Sequence, residues 1–285
     1  MSGEFYRSLG LEVSGSKNDR TALAVLDFYP KTQRLILVDI QPKIVGVEDM
    51  SADEALVRAV EEALGEAPHL TGLSIHGPLS LPPVLRQAVK EGKPQPFSEK
   101  SRDAEILWMN ELWKRLKPKP RPFAPYLERP AELHMRYVCK EKFPVAEAMG
   151  ANLAPIAARL QFLKPHLPEP QNEVYPRATL ARVVASLGLP KTIARDYSDL
   201  ERGVYTREQF FTYLGKKIPQ LFIYEKDLEQ MVVNLSAFNA FLCALTQHLI
   251  FAEQCETPSK NFPKSAGWIH FPRSAIDWNR VFSPS

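Results

Sequence analysis

Residues 22–40, ALAVLDFYPKTQRLILVDI, place two apolar runs on either side of the turn-type residues PKTQ. Each run is short, rich in branched and aromatic side chains, and bounded by residues that favour turns, which is typical of β-strands. A third such run, SLGLEV at residues 8–13, precedes them across the connection SGSKNDR. Because parallel neighbours need a long crossover, the two short connections predict an antiparallel meander of three strands.

A helix and a fourth strand are predicted to follow the meander. In residues 51–68, SADEALVRAVEEALGEAP, Ser51 and Glu54 have the spacing of a capping box, and the apolar residues keep helical spacing. The next apolar run reaches His76, where GPLSLPP prevents any regular continuation. A helical crossover of this length returns a strand parallel to an earlier one. An ionisable side chain at the end of a buried strand is where α/β proteins place chemistry, so His76 is a candidate functional residue.

The remaining chain is predicted to add strand and helix units. Residues 92–130 are rich in proline and read as irregular around one helix, and residues 143–163 predict a helix that Pro155 interrupts. Thr206 and Gln209 predict a capped helix, and residues 234–254 are apolar almost all round, as in a central buried helix. This element order is that of a ribonuclease-H-like fold. We therefore expect an α/β chain forming a single domain over residues 1–285, with an irregular insertion at about 92–170.

The composition is that of an ordinary globular protein. The chain is 45% hydrophobic and 24% charged, which is enough to bury a sizeable core, and its net charge of +3 permits an anionic partner without requiring one. Three cysteines without C-x-x-C spacing favour a reducing compartment over a disulfide framework or a thiolate zinc site. The N-terminal residues lack the apolar core of a signal peptide, and the longest apolar segment, residues 231–252, contains several polar side chains. We expect a cytoplasmic protein without a membrane span.

A basic run occupies residues 114–121, KRLKPKPR, which contain no acidic residue and follow tryptophans at positions 108 and 113. One interpretation is a nucleic-acid contact, with cations on the phosphates and aromatic side chains for stacking. The other is a solvated linker beside a helix anchored by tryptophan. The candidate nucleic-acid-binding residues are Lys114, Arg115, Lys117, Lys119 and Arg121.

Five separated motifs resemble those of the domain-of-unknown-function family DUF 429, which is described as predicted ribonuclease-H-like nucleases. In order they are LGLEVSGSKNDRTALAVLD, LSIHGPLSLPP, EVYPRATLARV, AFNAFLCALTQHL and GWIHFPR, which together span roughly residues 9–273. PLSLP and VYPRATL are the most specific of them. The resemblance implies phosphodiester hydrolysis, in which carboxylates bind divalent metal ions that activate water and stabilise the leaving oxygen.

The resemblance assigns the candidate site to Glu12, His76, Glu173 and Asn239. Acids occupy all four family positions, whereas this chain has histidine at position 76 and asparagine at position 239. Two carboxylates do not neutralise two divalent ions. The expectation is therefore one magnesium or manganese ion at most, held by Glu12, Glu173 and Asn239, with His76 as ligand or general base. Catalysis would be weakened or lost.

Other interpretations of the same residues remain open. A Glu12–His76 ion pair would satisfy a buried carboxylate without any metal. The chain would then be a non-catalytic module that binds nucleic acid or protein. A sugar-kinase-like ATPase shares the strand-and-helix core but normally needs two copies of it, for which this chain is short. Lys17, Asp19 and Arg177 are further candidates for anion contacts. The sequence predicts no obligate small-molecule cofactor.

Overall fold

The computed structural model describes residues 5–15, 20–65, 68–92 and 101–283. The chain divides into two compact units. The first contains residues 1–76, 166–256 and 270–285, and the second contains residues 77–165 and 257–269. The predicted insertion at about 92–170 overlaps most of the second unit's longer segment, and the second unit also includes a later segment that the sequence did not predict.

Seven strands and eleven helices occur in the described ranges. The strands are β1 (Tyr6–Glu12), β2 (Ala22–Tyr29), β3 (Arg34–Gln41), β4 (Leu70–His76), β5 (Gln171–Val174), β6 (Leu221–Phe222) and β7 (Ile269–His270). The helices are α1 (Ala52–Leu64), α2 (Pro83–Glu91), α3 (Ala104–Arg115), α4 (Pro130–Leu133), α5 (Ala154–Leu163), α6 (Pro176–Ser186), α7 (Lys191–Asp196), α8 (Gly203–Lys217), α9 (Glu225–Val233), α10 (Leu235–Phe251) and α11 (Trp278–Val281). A π-helical turn, His134–Val138, continues α4.

The strands form one mixed sheet in the order β6-β3-β2-β1-β4-β5-β7. β2 pairs antiparallel with both β1 and β3, so the predicted meander is confirmed. β4 pairs parallel with β1, with α1 as the crossover, and β5 pairs parallel with β4. The predicted α/β class is confirmed. Since β1, β4 and β5 are parallel, their carboxyl ends lie at one edge of the sheet.

Helix α10 packs across the centre of this sheet. Its residues are almost all buried, as the apolar sequence predicts. Gly10 permits the close approach, because a Cβ atom there would lie 2.1 Å from the backbone nitrogen of Ala244 and 2.2 Å from the carbonyl oxygen of Ala240. The helix begins where the Asn234 side chain accepts hydrogen bonds from the backbone N–H groups of the first turn. Close packing fixes which α10 side chains reach the carboxyl edge.

The second unit is held by an aromatic cluster and by buried ion pairs. His134 and Phe262 both contact Trp268, with ring centroids 4.9 and 5.0 Å away. Arg129 is fully buried and donates from Nε to Glu132 Oε1 at 2.8 Å. Pairing of this kind offsets the cost of removing a guanidinium from water.

Two local predictions differ from the structure. The helix predicted over residues 143–163 begins only at Ala154, because Pro155 occupies the first turn, where proline is tolerated, and the preceding residues form turns. Thr206 lies inside α8 and donates its hydroxyl to the Arg202 carbonyl, so its prediction as a helix cap is wrong. The capping box of Ser51 and Glu54 at the start of α1 is confirmed.

In the described ranges, no single helix is long and apolar enough to cross a membrane. Helices α9 and α10 meet that criterion only as a pair bent by 115°, and by length and composition alone.

Candidate functional site

The candidate site lies at the carboxyl edge of the parallel strands in the first unit. Glu12 is the last residue of β1, His76 is the last residue of β4, and the register places them side by side. Asn239, in the second turn of α10, lies on the same face of the sheet. The fold therefore brings together two strand ends and one helix, although Glu12 and Asn239 are more than two hundred residues apart in the sequence.

Glu12 is hydrogen-bonded through both of its carboxylate oxygens. His76 Nδ1 lies 2.6 Å from Glu12 Oε2, and Asn239 Nδ2 donates to Glu12 Oε1 at 3.3 Å. The side chains of Glu12 and His76 are 16% and 26% exposed, so the pair is partly shielded from solvent. The ion pair considered from the sequence as a metal-free alternative is present in the structure.

Glu173 occupies a different position from the other three residues. In β5 it pairs with Ile75, whereas His76 pairs with Val174. Its neighbour Asn172 donates to Gln247 on α10, so alternation along the strand directs Glu173 to the opposite face of the sheet. The structure thus joins Glu12, His76 and Asn239 directly, while Glu173 acts on His76 through its charge.

The charges around His76 favour its protonated form. Burial alone would lower the pKa of His76, but the charge and hydrogen bond of Glu12, with the charge of Glu173, outweigh burial and raise the pKa above its ordinary value. Within the described residues, His76 Nε2 makes no hydrogen bond. In its protonated form, His76 neutralises Glu12 on one side and keeps a second N–H donor on the other.

A divalent ion does not fit the site as it is arranged. Octahedral magnesium, with bonds of about 2.1 Å, sets adjacent ligand atoms about 3 Å apart. The 2.6 Å separation of His76 Nδ1 and Glu12 Oε2 instead suits a shared proton. Over the described ranges, no three His, Cys, Asp or Glu side chains are grouped so as to hold a metal ion. One atom favours a cation: Asn239 Oδ1 is buried and makes no hydrogen bond.

Two tyrosines that the sequence did not single out border the site. The Tyr175 ring lies 6.0 Å from the His76 ring, and burial raises the pKa of its phenol. Burial also raises the pKa of the Tyr197 phenol, and the charge of Glu12 contributes to this rise. Tyr175 was visible within the VYP motif, whereas nothing in the local sequence around Tyr197 indicates that it approaches Glu12.

Cys243 lies beneath the site on α10 and is a free, buried thiol. Burial raises its pKa well above the ordinary value, and the charge of Glu12 acts in the same direction, although the backbone of His76 donates to the sulfur. Because the thiolate is the reactive form, Cys243 is not a nucleophile at neutral pH.

Much of the basic run is engaged by neighbours within the second unit. Lys119 Nζ lies 4.6 Å from the centre of the Trp113 ring, and Trp113 Nε1 donates to the Pro120 carbonyl. Lys114 donates to Glu111 at 2.7 Å. The contacts of Lys119 and Pro120 engage Trp113 at the end of α3. They are those expected of a linker beside a helix that is anchored by tryptophan.

The other three basic residues are all exposed. Arg121 forms an ion pair with Glu147. Arg115 and Lys117 make neither a hydrogen bond nor an ion pair in the part of the chain that the structure describes. Arg115 nevertheless acts through its charge, because it adds to the larger effect of Lys114 in lowering the pKa of Glu111.

The remaining sequence candidates lie near or outside the site. Arg177 is close enough to Tyr175 for its charge to oppose the rise in the pKa of that phenol. Lys17 and Asp19 lie outside the described residues. Comparison of the chain with protein-family models, with curated proteins and with solved structures found no match.

Proposed function

We propose that the chain is a divergent ribonuclease-H-like protein that has lost metal-dependent phosphodiester hydrolysis and acts as a nucleic-acid-binding module in the cytoplasm. The sheet supports the fold proposal: an antiparallel meander whose first strand is flanked on its other side by the parallel strand β4, reached through a helix. The motifs that resemble DUF 429 coincide with β1–β2, the end of β4, the β5–α6 junction, α10 and β7.

One observation carries the proposal that hydrolysis is lost. Both oxygens of Glu12 are engaged, one by His76 and the other by the Asn239 amide group. Metal-assisted hydrolysis needs carboxylate oxygens that are free to bind the ion. A protonated His76 provides the positive charge that an ion would supply, and it repels a cation.

The same histidine supports binding of an anion. His76 is partly exposed, and its Nε2 makes no hydrogen bond within the described chain. An imidazolium N–H forms short, charge-assisted hydrogen bonds to phosphate oxygens. Binding of a phosphodiester without its cleavage is the behaviour that this arrangement favours. The net charge of +3 acts in the same direction.

A second candidate function is the metal-dependent phosphodiesterase activity that the family resemblance implies. The observation that favours it is the unpaired, buried Asn239 Oδ1. The sequence assigns this ion to Glu12, Glu173 and Asn239. Because Glu173 lies on the other face of the sheet, Glu12 and Asn239 would hold one magnesium or manganese ion after the Glu12–His76 contact opens, and His76 would act as general base. Manganese accepts an imidazole ligand more readily than magnesium does.

The test combines a cleavage assay with a binding assay. Single-stranded and double-stranded DNA and RNA are incubated with the full chain in magnesium, in manganese and in EDTA. We expect no cleavage in any buffer, together with saturable binding that persists in EDTA. The Glu12→Gln variant serves in both assays, because it removes the carboxylate with little change of shape.

The outcomes separate the two functions. Magnesium-dependent cleavage that Glu12→Gln abolishes would establish the metal-dependent enzyme and refute the binding module. Absence of binding to every nucleic acid in EDTA would also refute the module and leave a protein as the partner to be sought.

A further inference from the structure

A cleft in the second unit has the features of a small-molecule site. Its volume is about 530 Å³, which lies within the range of ligand pockets. One wall is a single face of α3, because the residues that line it from this helix recur at positions 104, 107, 108, 111, 112 and 115. The opposite wall includes His134 and Val138 of the π-helical turn. The cleft lies in a different unit from the Glu12 site.

Aromatic side chains in this cleft are held in place by packing. Trp108 and His134 both meet Phe262 edge-on, with ring centroids 5.4 and 5.9 Å away. Burial lowers the pKa of His134, so its ring is neutral at pH 7 and presents an uncharged surface. Rings fixed in this way bind a planar ligand at a low entropic cost.

The apolar part of the cleft is open to solvent. Leu107 and Val138 are each 48% exposed, on opposite walls. Exposed apolar side chains within a concave surface are typical of a binding site, because an occupant would remove them from water.

One uncommitted cation lies at the end of the α3 face. Arg115 is exposed and makes no hydrogen bond or ion pair within the described residues. Glu111 also lines the cleft, but Lys114 donates to its carboxylate at 2.7 Å and offsets its charge. The cleft therefore combines an aromatic, apolar body with a net positive end.

We propose that this cleft binds a nucleoside monophosphate, with the base against Trp108 and the phosphate on Arg115. Arg115 lies seven residues after Trp108 on α3, a rise of about 10 Å along the helix axis. A base, a sugar and one phosphate span such a distance, whereas a bare aromatic acid is too short. A guanidinium recognises phosphate through paired, parallel hydrogen bonds. This site goes beyond the function proposed above and does not depend on it.

The experiment is calorimetric titration of the full chain with AMP and UMP, and separately with adenosine and inorganic phosphate. Arg115→Gln removes the cation from an exposed position, and Val138→Trp fills the cleft from its exposed wall. Lys140→Gln is the matched control, because Lys140 is also exposed, makes no side-chain hydrogen bond or ion pair in the described structure, and does not line the cleft.

We expect one nucleotide to bind per chain, more tightly than adenosine or phosphate alone. Arg115→Gln should weaken binding of the nucleotides at least tenfold and leave adenosine unchanged, Val138→Trp should abolish binding of both, and Lys140→Gln should change neither. Three results would each overturn the proposal. They are no saturable binding at millimolar nucleotide, an equal loss in Lys140→Gln, and binding of an oligonucleotide that Val138→Trp blocks although neither AMP nor UMP binds.

Discussion

Removing the carboxylate of Glu12 should reverse the way in which His76 makes stability depend on pH. The folded state raises the pKa of His76 above 6.5, because Glu12 and Glu173 outweigh the opposing effect of burial. A raised pKa contributes stability that is fully present below pH 6.5 and is lost as the pH rises through the folded-state pKa. In Glu12→Gln the main opposing charge is gone, burial dominates, and the pKa of His76 falls below 6.5. The variant should therefore lose stability as the pH falls.

The size of the effect follows from the contacts. The Glu12→Gln substitution removes the charged contact between Glu12 Oε2 and His76 Nδ1, which are 2.6 Å apart. The side chains of Glu12 and His76 are both less than a third exposed. Breaking a charged hydrogen bond at such a site costs about 2 kcal/mol. The cost should be greatest near pH 5.5, below the ordinary pKa of His76, and smaller near pH 8.5, because raising the pH through the raised folded-state pKa of His76 removes its charge from the parent.

Urea unfolding in EDTA at these two pH values measures the difference in the free energy of unfolding between the parent and Glu12→Gln. The control is Glu62→Gln, which removes one charge from an exposed ion pair with Arg58, where no histidine is involved. Its effect should be below about 1 kcal/mol and equal at both pH values. If the penalty of Glu12→Gln were equal at both pH values, or larger at pH 8.5, His76 would not be a protonated partner of Glu12.

Three further results are expected. Replacing His76 and Asn239 together by aspartate should crowd the carboxylates and lower the melting temperature without metal, and magnesium should restore it. A double variant that responds to magnesium no more than the parent does would show that these residues do not surround a metal position. Gly10→Ala should destabilise the chain by about 3 kcal/mol, because its Cβ would lie 2.1 Å from an α10 backbone nitrogen. Gly215→Ala, which meets no atom within 4 Å, should be neutral or slightly stabilising in chemical denaturation, and equal effects of the two substitutions would contradict this packing. Neutralising the basic run at residues 114–121 should weaken binding of single-stranded nucleic acid and flatten its dependence on salt, and unchanged binding would identify the run as a solvated segment.

The meander and the position of His76 could be predicted because their signals are local. Alternating short runs and short turns define β1 to β3, and a Gly-Pro break ends β4 at His76. The pairing of Glu12 with His76 was also within reach, since an ionised group at a partly buried strand end needs a partner. These inferences require only the residues themselves and their neighbours in sequence.

The placement of Glu173 and Tyr197 could not be predicted in this way. A shift of one residue in strand register moves a side chain to the other face of a sheet, and no sequence pattern fixes the register of so short a strand as β5. Tyr197 reaches the neighbourhood of Glu12 only through packing of α7 and α10. The second unit is completed by residues 257–269, which return from far along the chain. Contacts of this kind depend on the whole fold.

The proposed resemblance assigns an acid to the position of His76, and the charge balance of the site indicates how a histidine changes what this position can bind. A cluster of carboxylates at a sheet edge requires cations from solution, because the acids repel one another when they are unpaired. His76 supplies one positive charge from within the chain, directly beside Glu12. In its protonated form His76 offsets the charge of Glu12 without an ion, and its Nε2–H is a hydrogen-bond donor. Donors of this kind bind an anionic group, whereas they do not activate water as a metal ion does. On the proposed resemblance, exchange of an acid for a histidine at this position would change the preferred partner from a cation to an anion.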